Sequence, residues 1–371
     1  MQNARRHVAA SRTRPLPYVV GVAAASVPAA HQRQIREAVS AWLYRGISKS
    51  KSIAYFFHAP LVSPMPNAAP IALFIFRRHE HLRKTLTGLQ RCEGFSGSRV
   101  VVFGDGPKRD EQRVGIEAAR AVAREMLGEE AEYRFSETNK GLARSIIDGV
   151  GALIAEHGRV IVIEDDLDLA PGFLTFMDAA LDRYAGDETV YQVSGHAFDA
   201  PELMDCKSAV FLPFTTTWGW ATWARAWRHM DEAAIGWEQL ARDRDLRRRF
   251  NLGGVYDFAT MIERQKKGRT DSWGILWYWS VFRGNGLTLA PPRTLVHNTG
   301  MDGSGSHGRG VLRRHNAKRQ EFPATTYDLP PPLLDRKSFE VVKRAIWRQN
   351  GGAIGQIVDA VKRMALPLLK R

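Results

Sequence analysis

Between residues 70 and 195 the apolar pattern switches repeatedly between two periods. Ile71-Ala-Leu-Phe-Ile-Phe76 is an unbroken apolar run, the pattern of a strand buried on both faces. From His81 to Leu89 the spacing becomes helical, with Leu82, Leu86 and Leu89 on one side. The alternation then repeats. Arg99–Phe103 reads as a strand and Gln112–Leu127 as a helix; Glu132–Ser136 follows as a strand and Leu142–Glu156 as a helix. Arg159–Ile163 is the strongest strand and runs straight into Glu164-Asp165-Asp166; the helix Phe173–Tyr184 and the strand Val190–Val193 come next. One or two late strands are predicted within Leu287–Val296. Strand alternating with helix implies right-handed crossovers and an α/β fold, with a mostly parallel central sheet flanked by helices. Ligands of such sheets bind outside the carboxyl ends of the strands, which groups Arg77, Arg78, Asp105 and Glu164–Asp166. Pro60, Pro64, Pro66 and Pro70 mark a linker before this region. Residues 1–65 then form a basic N-terminal extension, 66–308 the main domain, and 309–371 a basic C-terminal extension with helices over Ser338–Arg348 and Ile354–Leu369.

Charge sharpens this division. Residues 1–60 hold nine Lys/Arg against one Asp/Glu, and residues 309–371 hold 14 against five. The middle holds 30 against 33, so the formal net charge of +14 belongs to the flanks. Polyanion recognition needs its cations in the folded domain, so specific nucleic-acid binding is not expected. Basic flanks suit peripheral association with an anionic membrane, or serve as a solubilising tail. No apolar run reaches the roughly 18 residues of a spanning helix; Tyr18–Ala30 is short and broken by Gly21 and Pro28. The arginine-rich start resembles in composition either a targeting peptide or an over-extended reading frame. Two cysteines, Cys92 and Cys206, exclude a disulfide scaffold and a Cys-rich zinc module, and fit a cytoplasmic protein.

Three adjacent acids at the tip of a buried strand repel one another and are costly to bury. A divalent cation relieves both problems, and carboxylates are the hard oxygen donors that suit magnesium or manganese. The plainer reading is a solvated acidic turn ahead of the helix after Pro171-Gly172. No Gly-x-Gly-x-x-Gly or Walker sequence follows the first strand, so a dinucleotide fingerprint and a P-loop are both unsupported.

Val160-Ile-Val-Ile-Glu-Asp-Asp-Leu-Asp-Leu-Ala-Pro-Gly-Phe173 resembles the nucleotide and metal motif of the GT-A glycosyltransferases. The first strand with Arg78-His-Glu-His-Leu-Arg-Lys-Thr-Leu86, and the tract Thr215-Thr-Thr-Trp-Gly-Trp-Ala-Thr-Trp223, are also similar to that family. The branch resembled is that of N-acetylglucosaminyltransferase I and its bacterial relatives, over residues 70–308. The chain has Arg77-Arg78-His79 where bacterial relatives often show Asn-Arg-Pro. The resemblance implies a GT-A fold and a divalent cation, Mn2+ or Mg2+, held by Asp166. Glu164 and Asp165 would contact the ribose or base of a nucleotide-sugar donor, with a UDP-sugar expected. Arg78 and Asp105 match positions that touch the nucleotide; the alternatives are a surface arginine and a Gly-Asp-Gly turn residue. The acceptor would be a glycan or glycolipid of a bacterial-type surface polysaccharide.

Eight of the ten tryptophans fall between Trp218 and Trp279. Indole faces suit sugar C–H surfaces, although most such rings are core. Gly219 suggests a tight turn that presents Trp218 and Trp220 at a cleft on the donor side. An inverting transfer needs one carboxylate to take the acceptor proton and no second, nucleophilic carboxylate. Asp271, before Trp273, resembles the family's base position; a helix N-cap is the structural alternative, and Asp257 and Glu263 are rivals. His297 or His307, in a glycine-rich tract suited to a lid, could complete a metal shell or contact a diphosphate. Arg309, Arg313 and Arg314 could neutralise the diphosphate or belong to the flank. A nucleotidyltransferase shares the nucleotide-and-cation logic but wants an early Gly-rich, Lys-bearing loop. A non-catalytic glycan- or membrane-binding protein would not need the acidic strand tip.

Overall fold

The computed structural model describes residues 68–302 and 327–352. Every described residue belongs to one compact unit, Val62–Arg371. The Tyr18–Ala30 and Ile354–Leu369 tracts, His307, Arg309, Arg313 and Arg314 lie outside the described residues.

The apolar runs become the strands β1 (Ile71–Ile75), β2 (Val100–Gly104), β3 (Glu132–Phe135) and β4 (Arg159–Glu164). All four are parallel, in the order β3-β2-β1-β4. The crossovers are α1 (His79–Gln90), α2 (Arg113–Leu127) and α3 (Leu142–His157). Each turns its apolar stripe to the sheet: Leu82, Leu86 and Leu89 of α1 are wholly buried on one side, and Ile146, Val150 and Leu153 of α3 on the other. Because each crossover helix runs back against its strands, its N-terminus lies at the sheet's carboxyl edge. Gly158, in the left-handed region, ends α3 and lets the chain turn directly into β4.

The second half departs from simple alternation. After β5 (Leu167–Leu169) and α4 (Phe173–Arg183) come β6 (Val190–Ser194), β7 (Val210–Leu212) and β8 (Trp220–Trp223). The chain continues through the short helices α5 (Ala224–Trp227), α6 (Gln239–Arg242) and α7 (Arg244–Phe250). It ends with α8 (Phe258–Lys266), α9 (Trp273–Arg283), β9 (Leu287–Ala290), β10 (Val296–Asn298) and α10 (Arg336–Gln349). The complete sheet has the order β3-β2-β1-β4-β8-β6-β9-β7. Four of its pairings are parallel, and three, β4–β8, β6–β8 and β7–β9, are antiparallel. β5 and β10 form a separate antiparallel pair.

β8 wedges antiparallel between β4 and β6, where the sequence pattern suggests a loop. Its four residues are buried on both faces, so no polar alternation marks it. Trp220 points to one side, stacked 5.1 Å from Trp273, with Trp227 at 5.8 Å and Trp277 at 6.3 Å. Trp223 points to the other and donates its indole N–H to the Leu181 carbonyl at 3.0 Å. α10 rests on β7, burying Val342, Ala345 and Ile346 in the cluster that holds Val210 and Leu212. This stretch of the expected C-terminal extension is therefore joined to the sheet. Among the described residues no helix is long and apolar enough to cross a membrane.

Candidate active site

The carboxyl tip of β4 carries the acidic cluster. β1 lies beside β4 and ends level with it, since Phe74 is in register with Glu164. The chain leaving β1 therefore passes over the acids. There the backbone N–H of Phe76 donates to Asp165 Oδ2 at 3.2 Å. Arg78 lies across two carboxylates: Nη2 pairs with Asp165 Oδ1, and Nη1 pairs with Asp166 Oδ2 at 2.9 Å. Arg78 thus touches the acids themselves, neither standing free in solvent nor directed away from them. The segment after β10 closes over the same point. The main-chain N–H and hydroxyl of Thr299 both donate to the Asp166 carbonyl, at 2.7 and 3.0 Å. A Cβ at Gly300 would collide with Asp166 Oδ2 and Arg78 Nη1, so only glycine allows this approach. Thr299 and Gly300 sit in a tract whose sequence shows glycines but not their contact with Asp166.

One guanidinium faces three carboxylates, and Glu164 receives none of its hydrogen bonds. Burial first, then the charges of Asp166 and Asp165, push the Glu164 carboxyl up to about 8, against the opposing pull of Arg78. Burial likewise raises Asp165. Between the ordinary value of 4.5 and about 8, the folded chain holds a proton at Glu164 that the unfolded chain lacks. Stability should therefore fall as pH rises through that window. Thermal unfolding in chelator from pH 5 to 8 is expected to show this decline, and Glu164→Gln to flatten it. An unchanged slope in the variant would contradict the assignment.

Magnesium or manganese bound with a nucleotide takes one or two carboxylates and completes its shell with phosphate and water oxygens. Asp166 provides such a hard oxygen at the strand tip. Among the described residues no group of three His, Cys, Asp or Glu side chains converges into an all-protein cage. The residues fit a cation that arrives with phosphate.

A second constellation is built around the start of α3. Asp105, at the tip of β2, accepts from the backbone N–H of Lys140 at 2.9 Å and of Gly141 at 3.0 Å, and from Asn139 Nδ2 at 2.9 Å. Its carboxylate is therefore occupied in holding the Asn139–Gly141 loop. Gly141, at φ +82°, turns this loop into the helix. Asp271 meets the same helix terminus: its Oδ2 accepts from Ala143 N at 3.4 Å, and a Cβ on Gly141 would stand 2.8 Å from it. The N-cap of α9 itself is Ser272, which forms no side-chain cap bond. Asp271 thus caps α3 across space rather than its own helix, while remaining solvent-exposed. Of the rivals, Asp257 caps α8 through Thr260, and Glu263 pairs with Lys267.

Trp218 and Trp220 separate. The β4–β8 register ends with Val162 opposite Trp220, and the Gly219 turn sets Trp218 outside the ladder. Trp218 is half-buried, edge-on to the His196 ring at 4.5 Å. Trp220 is fully buried in the indole cluster, and its own N–H has no hydrogen-bond partner. Expected on the donor side, Trp220 is instead core, because the Gly219 turn at φ +57° ends before it and β8 carries it inward. In the β5–β10 ladder His297 stands opposite Asp168, and Thr299, two residues on, donates to the Asp166 carbonyl.

No family model and no curated protein matches the chain. Among solved structures it is similar to the mannosyltransferase PcManGT from Pyrobaculum calidifontis, in complex with GDP-Man and Mn2+. That match has 14% identity over 69% of this chain and 82% of the other, with a TM-score of 0.33. S. aureus TarS matches at 14% identity over 62% of this chain and 36% of its own, with a TM-score of 0.34. Glucosyl-3-phosphoglycerate synthase from Mycobacterium tuberculosis, in complex with Mn2+, UDP and glucosyl-3-phosphoglycerate, matches at 11% over 44% of this chain and 58% of its own, with a TM-score of 0.28. These likenesses are slight, and the residues at the strand tips carry the functional reading.

Proposed function

We propose that the chain is a glycosyltransferase. It transfers a hexosyl or N-acetylhexosaminyl group, with inversion, from a nucleotide-diphosphate sugar to a hydroxyl of a glycan or lipid-linked acceptor. The observation that carries this reading is the carboxyl edge of the sheet, where the acidic tip of β4 and the Asp105 tip of β2 flank the end of β1, and Asp271 meets the same start of α3 that Asp105 holds. Asp166 would hold a divalent cation, which when bound supplies electrostatic stabilisation to the departing diphosphate. Glu164 and Asp165 border the nucleotide, and Arg78 faces its charge. Asp105 acts through the Asn139–Gly141 loop and fixes the shape of the nucleotide's surroundings. Trp218 offers an indole edge to a sugar, with His196 packed against it.

Asp271 is the base. One of its oxygens accepts from the N-terminus of α3, which orients the carboxylate. The other faces solvent and can take the acceptor proton as the anomeric carbon is attacked from the opposite side. The basic flanks suit attachment to the cytoplasmic face of an anionic membrane, where lipid-linked acceptors are presented. The reading follows the branch that resembles N-acetylglucosaminyltransferase I. Binding tests it: a nucleoside diphosphate should raise the unfolding temperature only when Mn2+ is present, and Asp166→Ala should abolish the rise.

A further inference from the structure

The Asp166 carboxylate proposed to hold the cation is already engaged. Arg78 Nη1 stands 2.9 Å from Asp166 Oδ2, while Nη2 of the same guanidinium is paired with Asp165. This bridge is held from several sides. Asp165 is fixed by the Phe76 N–H, and the Arg78 carbonyl accepts from Leu82 N at 2.9 Å in the first turn of α1. The Gly300 backbone lies directly on the Arg78–Asp166 pair, and Arg78 is 22% exposed. A planar fork spanning two carboxylates is a strong, directional pair, and a lone cation approaching Asp166 meets the guanidinium charge 2.9 Å from Oδ2 of that carboxylate.

We propose that Arg78 is the resident counter-ion of the acidic tip and makes cation and nucleotide bind together. A cation entering alone would share Asp166 with the Arg78 guanidinium and set two positive groups side by side in a partly buried site, which is unfavourable. A cation entering with a nucleoside diphosphate brings two phosphates, one of which replaces Asp166 as the partner of Arg78. The guanidinium then moves from the acids to the diphosphate, and each ligand strengthens the binding of the other. This inference rests on the glycosyltransferase reading and adds a coupling to it: the free cation is disfavoured and the cation–nucleotide pair is preferred.

The test is Mn2+ binding to the full chain, read by the loss of the free-ion electron paramagnetic resonance signal, with and without UDP or GDP. Wild type is expected to bind Mn2+ weakly alone, and at least tenfold more tightly with the nucleotide it accepts. Arg78→Met, which removes the charge and keeps most of the volume, should bind Mn2+ alone at least tenfold more tightly than wild type and lose most of the nucleotide enhancement. Arg78→Lys keeps the charge but cannot span both carboxylates, and should fall between them; it carries the test should the Met variant fail to fold. Asp166→Asn should weaken Mn2+ binding in every background. Mn2+ binding through Asp166 that is unchanged by either Arg78 substitution would overturn the role of Arg78 and leave the transferase reading standing. No Mn2+ binding to wild type even with nucleotide would overturn both.

Discussion

Replacing Asp271 with Asn is expected to reduce sugar transfer by about 10²–10⁴-fold, the usual contribution of a positioned general base. The amide oxygen can still accept the Ala143 N–H, so the start of α3 keeps its cap and the fold is retained. What is lost is the carboxylate that takes the acceptor proton. Nucleotide affinity in the presence of Mn2+ should stay near the wild-type value, because Asp271 meets the nucleotide side only through the Asn139–Gly141 loop. A purely structural Asp271 would give the opposite pattern. Asn would then turn over at nearly the wild-type rate, and Ala would cost about 1 kcal/mol of stability through the lost cap. Turnover measured alongside urea unfolding separates the two.

Trp220→Ala should destabilise the protein by about 3–5 kcal/mol, the range for removing a large buried aromatic side chain. The ring is wholly enclosed, stacked on Trp273 and adjoined by Trp227 and Trp277, so truncation leaves a cavity between the sheet, α3 and α9. Trp220→Phe should cost much less. It keeps an aromatic ring and removes an indole N–H that has no partner in the interior. Neither substitution should alter nucleotide affinity in protein that remains folded. Trp218→Ala should show the reverse balance, with a smaller stability loss and weaker binding of a sugar-bearing ligand. A Trp220 variant of normal stability but impaired sugar binding would return this residue to the donor side.

These expectations show which parts of the chain were legible in its sequence. The first four strands and their crossover helices follow from apolar period alone, and their observed bounds agree to within a residue or two. The pattern works there because the parallel strands are buried on both faces and each helix has a single apolar stripe. It fails at β8, where a four-residue strand rich in tryptophan reads equally well as a cleft loop. It also could not reveal that β8 and β7 reverse direction, since period carries no information about orientation. At the site, topology brought Arg78, Asp105 and the β4 acids to one edge of the sheet, as the strand-tip rule anticipates. The partners at that edge were not legible. The contact of Asp271 with the start of α3 spans 128 residues of sequence, and that of Thr299 with Asp166 spans 133. The β5–β10 ladder also sets His297 opposite Asp168 and leads on to Thr299 at the Asp166 carbonyl, a placement that residue type does not show.

The central claim is that the acidic tip of β4 binds a nucleoside diphosphate through a cation. The most direct measurement is the unfolding temperature of wild type and Asp166→Ala across a panel of nucleoside diphosphates, each with Mn2+ and with chelator. At a nucleotide concentration one hundred times its Kd, binding adds about 2.7 kcal/mol to stability, a readily measured shift. The predicted result is a shift for one base, present only with Mn2+ and only in wild type. Folded wild-type protein that no nucleotide stabilises, or a shift that persists in Asp166→Ala or in chelator, would contradict the account.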